Sequence, residues 1–211
     1  MTTELPEPFR DDWERVGSRT QAVSITLVSI DAETTLFEHR GTPDIGESDV
    51  QPRSLIAVAL EISPPLSMLG LAPDGVFSLA AGTARDRFVD LIEAEDVIVE
   101  GERKTVEFDR GDGTPGRWHV LETAHPLEDR RLETETHLAI WPTAESFAMA
   151  GGTLPLEAPA DAEASMEVNP QRDRDTIAAF VRELAGRTIP DGAPSTDPNG
   201  ASEPDTERDS A

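Results

Sequence analysis

The sequence predicts an α+β fold: a single, mostly antiparallel sheet with a mid-chain helix and a C-terminal helix packed on it. Three observations predict it. Across residues 132–141, Leu132, Thr134, Thr136, Leu138 and Ile140 alternate with Glu133, Glu135, His137, Ala139 and Trp141, the period of two of a strand. Residues 76–95 place Phe77, Ala81, Ala84, Phe88, Leu91, Ile92 and Glu95 at the three-to-four spacing of one helical face. Ile177, Phe180, Val181 and Leu184 repeat that spacing late in the chain. The order of helix, hairpin, strand, helix, four or five strands and helix is that of an α+β domain.

Each element has its own signal. Pro8 opens a short helix over residues 8–16, with Phe9, Trp13 and Val16 on one face and Gly17 as its stop. Residues 22–30 form a strand carrying Val23, Ile25 and Leu27. Asp31, Ala32 and Glu33 turn the chain, and residues 34–39 return with Leu36 or Phe37 inward. Residues 41–53 are a polar loop. Residues 54–62 are almost wholly apolar, as suits a central strand covered on both sides, with Ile56, Val58, Leu60 and Ile62 sharing a face. Ser63, Pro64 and Pro65 end that strand. Pro73, Asp74 and Gly75 precede the main helix.

Beyond the main helix, residues 97–100 and 105–108 read as two strands separated by Gly101 to Lys104, and residues 117–125 as another. Residues 110–116 form a turn. Pro142 ends the strand 132–141, because it cannot donate to a ladder. Residues 146–150 make a short strand, Gly151 and Gly152 a turn, and Pro155 closes the unit. Ala139, Ala148 and Ala150 are small, so the C-terminal helix can lie close over them. Residues 152–168 wrap the surface. Asn169 and Pro170 suit the N-cap and first position of that helix, and Gly186 stops it.

These readings divide the 211 residues into a lead-in at 1–19, one domain at 20–186 and a disordered acidic tail at 187–211. Acidic residues number 42 and basic residues 18, for a net charge of −24, and Lys104 is the single lysine. Strong negative charge with arginine in place of lysine resembles the cytosolic proteins of an extreme halophile, whose self-repulsion is relieved by salt. The balance disfavours nucleic acid as a partner, since phosphates call for a basic face. There is no cysteine, hence no disulfide framework or thiolate chemistry. The N-terminus lacks the pattern of a signal peptide, and no apolar run approaches the ~20 residues that span a bilayer. A cytoplasmic protein without a membrane partner is expected.

An early hairpin, a long mid-chain helix, an antiparallel meander ending in the strand SFAMAGGTLP, and a closing helix after a loop resemble the Mog1/PsbP-like fold over residues 20–186. The chain departs from the exported members in lacking their leader. Members of that group mostly bind other proteins as assembly factors, adaptors or chaperones, so the resemblance implies an interaction role.

The residues that could carry chemistry are few. A hairpin centred near residue 128 would set His119 opposite His137, and with Glu122 or Glu135 nearby the pair could hold zinc. The plainer reading is two imidazoles on a solvated sheet face, and a one-residue slip separates them. His39 and His125 complete the histidines. Asp109 to Asp112 with Gly113 resembles half a calcium loop but lacks the later carboxylate, so a hairpin turn is expected. Ser146 and Thr153 lack a nucleophile's flanking signature, and no phosphate- or dinucleotide-binding motif occurs. No cofactor is expected. Leu66, Met68, Leu69 and Leu71 form a core-capping turn if buried and a partner site if exposed; the buried reading is the commoner for such runs. The function expected is a non-catalytic protein-binding or assembly module contacting an unidentified protein through Leu66 to Leu71 and the 41–53 loop. A homodimer is compatible with the sequence. The alternative is a small-ligand protein or enzyme with a pocket between sheet and helices.

Overall fold

The computed structural model describes residues 3–25, 28–41, 50–110, 113–127, 130–158 and 167–186. Among them lie seven strands: β1 (Trp13–Ile25), β2 (Val28–His39), β3 (Ser54–Ser63), β4 (Ile98–Asp109), β5 (Pro115–Pro126), β6 (Arg131–Pro142) and β7 (Phe147–Pro155). They form one sheet in the order β1-β2-β3-β7-β6-β5-β4, and every neighbouring pair is antiparallel. Helix α1 (Pro73–Glu93) and helix α2 (Pro170–Ala185) cover opposite faces, so the fold is α+β. No helix among the described residues is long and apolar enough to cross a membrane.

Strand parity explains the two cores. On β3, Ile56, Val58 and Ile62 join Leu121, Leu138, Ile140, Phe147 and Met149 beneath Phe77, Ala81, Phe88 and Ile92 of α1. Leu55 and Ala57 point the other way and join Trp118, Ala139, Trp141, Ala150 and Leu154 beneath Ile177, Phe180 and Val181 of α2. Phe180 sits edge-on between Phe9 and Phe37. The small residues predicted to admit the C-terminal helix do so: Ala139 and Ala150 are fully buried below α2. A Cβ on Gly152 would meet the Ser54 carbonyl and, at 3.1 Å, the Ile177 side chain.

The helix ends follow the sequence signals. Asn169 accepts a hydrogen bond from the Arg172 amide at 3.1 Å, Pro170 occupies the first turn, and Gly186 stops α2 in the left-handed region at φ 76°. Arg110 donates to the Ala185 carbonyl at 2.9 Å, a cation at the helix's negative end. Asn169→Ala should lower stability by about 1 kcal/mol in a denaturant titration, with the slope unchanged.

Several expectations are corrected. Residues 8–16 are not a helix: a 3-10 turn at Glu7–Phe9 leads into β1, which starts at Trp13. Phe9 and Trp13 are both buried, as their spacing suggested, but a nine-residue helix is marginal in water while β1 pairs along the whole of β2. The hairpin does not turn at Asp31 to Glu33. These residues lie inside β2, where Asp31 and Glu33 are half-buried on a sheet face, and the strands close at the pair Ile25 and Val28.

Residues 98–109 are one strand rather than two, with register shifts between Val99 and Gly101 and between Glu102 and Lys104. An edge strand tolerates such bulges and solvates its charges. Gly151 and Gly152 do not turn the chain. They lie within β7, and a side chain at Gly151 would collide with the His137 carbonyl of β6. The main helix starts at Pro73, which takes the first-turn position where a missing N–H costs nothing. The tail at 187–211, most of the 41–53 loop, the middle of the 152–168 segment and part of the 110–116 turn lie outside the described residues.

Candidate functional site

The register of β5 and β6 settles the histidines. His119 pairs with Leu138 and Val120 pairs with His137, one residue away from the expected register. The two imidazoles therefore point to opposite faces, His119 under α1 and His137 under α2, and cannot share a metal. Among the described residues no group of three histidines, aspartates or glutamates is arranged to hold one.

On the α2 face, His137 belongs to a buried polar cluster. The Trp118 indole donates to His137 Nδ1 at 3.0 Å. Nδ1 must then be an acceptor, which places the proton on Nε2, 2.7 Å from Glu135 Oε1. Arg174 of α2 grips the same carboxylate through Nε at 2.6 Å and Nη2 at 3.2 Å. Arg103 of β4 adds a bond to Oε2 at 3.0 Å and reaches Glu122 at 3.1 Å. Burial alone would raise the Glu135 pKa. The hydrogen bonds from His137 and Arg174 outweigh it and bring the group down to about 2. A carboxylate so held has no proton to give and no open face. Its work is to tie α2 and the edge strand β4 to the middle of the sheet.

On the α1 face, His119 Nδ1 lies 3.1 Å from both Glu102 and Thr105, and Arg85 of α1 reaches Glu102 at 3.2 Å. Burial lowers the His119 pKa, partly opposed by Glu102. Nε2 of His119 finds no hydrogen-bond partner among the described residues. Further along that face, buried hydroxyls of Thr123, Thr134, Thr136 and Thr153 form a chain with separations of 2.8–3.0 Å. His125 meets its end, with Nε2 on the Val50 carbonyl at 3.0 Å, and burial pushes its pKa down to about 4. Thr153 is thus a strand residue within this chain of hydroxyls. Ser146 is buried in the turn before β7.

A cleft of about 770 Å³ opens where the N-terminal segment, the end of β2 and the first turns of α2 meet. Phe9, Trp13, His39, Arg53 and Asp173 line it. Arg53 is buried and committed: it bonds Asp173 at 2.8 Å and the Glu167 carbonyl at 2.8 Å. His39 stacks edge-on against Trp13, and burial followed by the charge of Arg53 lowers its pKa.

The apolar segment beside α1 divides. Leu66 is buried and anchors a 3-10 helix, Leu66–Leu69. Met68 is 77% exposed, Leu69 41% and Leu71 43%, so the core-capping expectation is corrected for all three. A four-residue helix capped by Gly70 at φ 73° buries one side chain in four and turns the others outward. Its backbone is internally satisfied: Met68 donates to Pro65, Gly70 to Ser67 and Leu71 to Leu66. Leu79 on α1 is 79% exposed. Asp74 is the only charged residue between Glu61 and Arg85.

Sequence reasoning missed the Glu135 cluster. The signal was present: Glu135 and His137 share strand parity with Ala139 and Trp141, and a carboxylate on a face buried under a helix needs cationic partners. Arg174 lies on the helix predicted to supply that cover.

The model of a family described as "Domain of unknown function (DUF6517)" matches residues 4–185. No curated protein and no solved structure matches the chain. The match spans most of the chain, which therefore belongs to this family.

Proposed function

We propose that this DUF6517 member is a non-catalytic protein-binding or assembly module. The observation that carries the reading is the exposure of Met68, Leu69 and Leu71 on a short helix anchored by Leu66. Apolar side chains grouped on a rigid support, in a stretch almost free of charge, suit docking of a protein with a matching apolar surface. The setting adds to this. A halophilic cytosol, the habitat we infer from the −24 charge, screens ion pairs and leaves apolar burial intact or stronger. The likeness of element order to the Mog1/PsbP-like fold supports the same reading. The buried polar clusters are engaged in holding the fold, which leaves this surface as the stronger candidate.

The test is affinity capture by tagged protein from a lysate kept at native salt, comparing wild type with Met68→Asp. Met68 is exposed, so the variant should melt as wild type does. Loss of an apolar anchor should weaken a specific partner by about 2 kcal/mol, or about thirtyfold. A partner held equally well by Met68→Asp and Leu71→Asp would overturn the reading. The cleft beside His39 and Arg53 carries a second reading, binding of a small polar ligand. A metabolite that co-purifies with wild type and is lost in His39→Ala would favour it.

A further inference from the structure

The two edges of the sheet are built differently. β4 is broken by two register shifts, and six of its 12 residues are charged. Bulges and edge charges are the means by which natural sheets prevent pairing with another strand. β1 has one shift, between Arg15 and Gly17, and then runs regularly to Ile25. No carboxylate occurs between Glu14 and Asp31, in a chain with 42 acidic residues among 211. The two charges in that interval are occupied, Arg15 with Ser18 at 2.7 Å and Arg19 with Glu95 at 2.7 Å. Residues 18–22 are all exposed, and among the described residues no strand pairs with the outer side of β1. Helix α1 packs mainly on β4, β5 and β6, and α2 on β6 and β7, while the connection after α1 reaches β1 through Glu95 and Arg19.

We propose that β1 is a self-association edge, through which two copies of the chain pair antiparallel along residues 18–24 and join their sheets across a two-fold axis. The occupant follows from charge. For a chain of net −24, the stretch of β1 after Glu14, which carries no carboxylate, is where a second copy can approach with least repulsion. A basic partner would be drawn to the acidic faces instead. Antiparallel pairing about a two-fold is self-complementary. Centred on Gln21, it sets Thr20 opposite Ala22 and Arg19 opposite Val23, so Arg19 does not face its own copy. This edge is separate from the Met68 surface and does not depend on that reading.

The experiment is sedimentation velocity of the full-length protein in molar KCl over a concentration series, comparing wild type, Thr20→Lys/Ala22→Lys and Glu107→Lys. Wild type should sediment as a dimer. The double variant, with two ammonium groups on β1, should become a monomer with an unchanged circular dichroism spectrum. Glu107→Lys, which puts the same charge on β4, should remain a dimer. If the double variant does not fold, amide exchange of wild-type residues 18–24 decides, and their protection should rise with protein concentration. A wild-type monomer at every concentration, a folded double variant that is still dimeric, or protection independent of concentration overturns the proposal.

Discussion

Replacing Glu135 with alanine should cost about 3–5 kcal/mol, the range expected when one partner of a buried charge cluster is removed. The substitution strips Arg174 of its bidentate acceptor, leaves Arg103 with Glu122, and deprives His137 Nε2 of the oxygen at 2.7 Å. The acid limb of the stability profile should change with it. Glu135 binds a proton at about 2 in the fold, against 4.5 unfolded. Between those values the unfolded chain carries a proton that the folded chain refuses, so stability falls as pH falls, by on the order of 3 kcal/mol. His125 acts in the window above. It stays neutral in the fold down to about 4, against 6.5 unfolded, so stability also falls as pH drops from 6.5 toward 4. Denaturant titrations at stepped pH should show both losses in wild type and a shallower acid limb in Glu135→Ala, where Glu102 still has a lowered pKa. A cost below about 1 kcal/mol would mean that the cluster contributes little to holding α2.

Dilution of salt should unfold the protein. The screening distance grows from about 3 Å at 1 M to about 30 Å at 0.01 M, so the 24 excess negative charges then repel one another across the whole domain. The first strands carry like charges in register, with Arg40 3.1 Å from Glu14 as a bridge that dilution leaves in place. Glu14 lies directly opposite Glu38 and Asp31 opposite Glu61, and like charges in register destabilise a sheet. Far-UV circular dichroism in falling KCl should show loss of strand signal. Amide exchange should place the earliest loss in β1, β2 and the end of β3. Retention of full structure at about 0.01 M salt would remove the halophile argument.

What was legible in the sequence were the elements whose hydrophobic pattern and backbone chemistry agree. β3 is apolar from Leu55 to Leu60 and feeds side chains into the cores beneath both helices. The run from Phe77 to Ile92 has one helical reading, and Asn169, Pro170 and Gly186 mark α2 at both ends. Errors arose where a local signal has two physical uses. Phe9 and Trp13 are four apart because both reach the core beneath α2, not because a helix joins them. Gly151 and Gly152 serve close strand packing rather than a turn. The candidate metal pair failed on a single residue of register, which turns a side chain to the other face. The exposure of Met68 was not legible, since an apolar run is the same in sequence whether a neighbouring element covers it or not.

The most direct test of a docking role for the Leu66–Leu69 helix is site-specific photo-crosslinking in cells at native salt. A photoreactive residue is placed at Met68 and, in parallel, at Asp86 on α1 and at His39 in the cleft. A docking role for this helix predicts one abundant protein adduct from position 68, abolished when Leu71→Asp is added, and none in common from position 86. Equal adducts from positions 68 and 86, or a discrete adduct from position 39 alone, would contradict it.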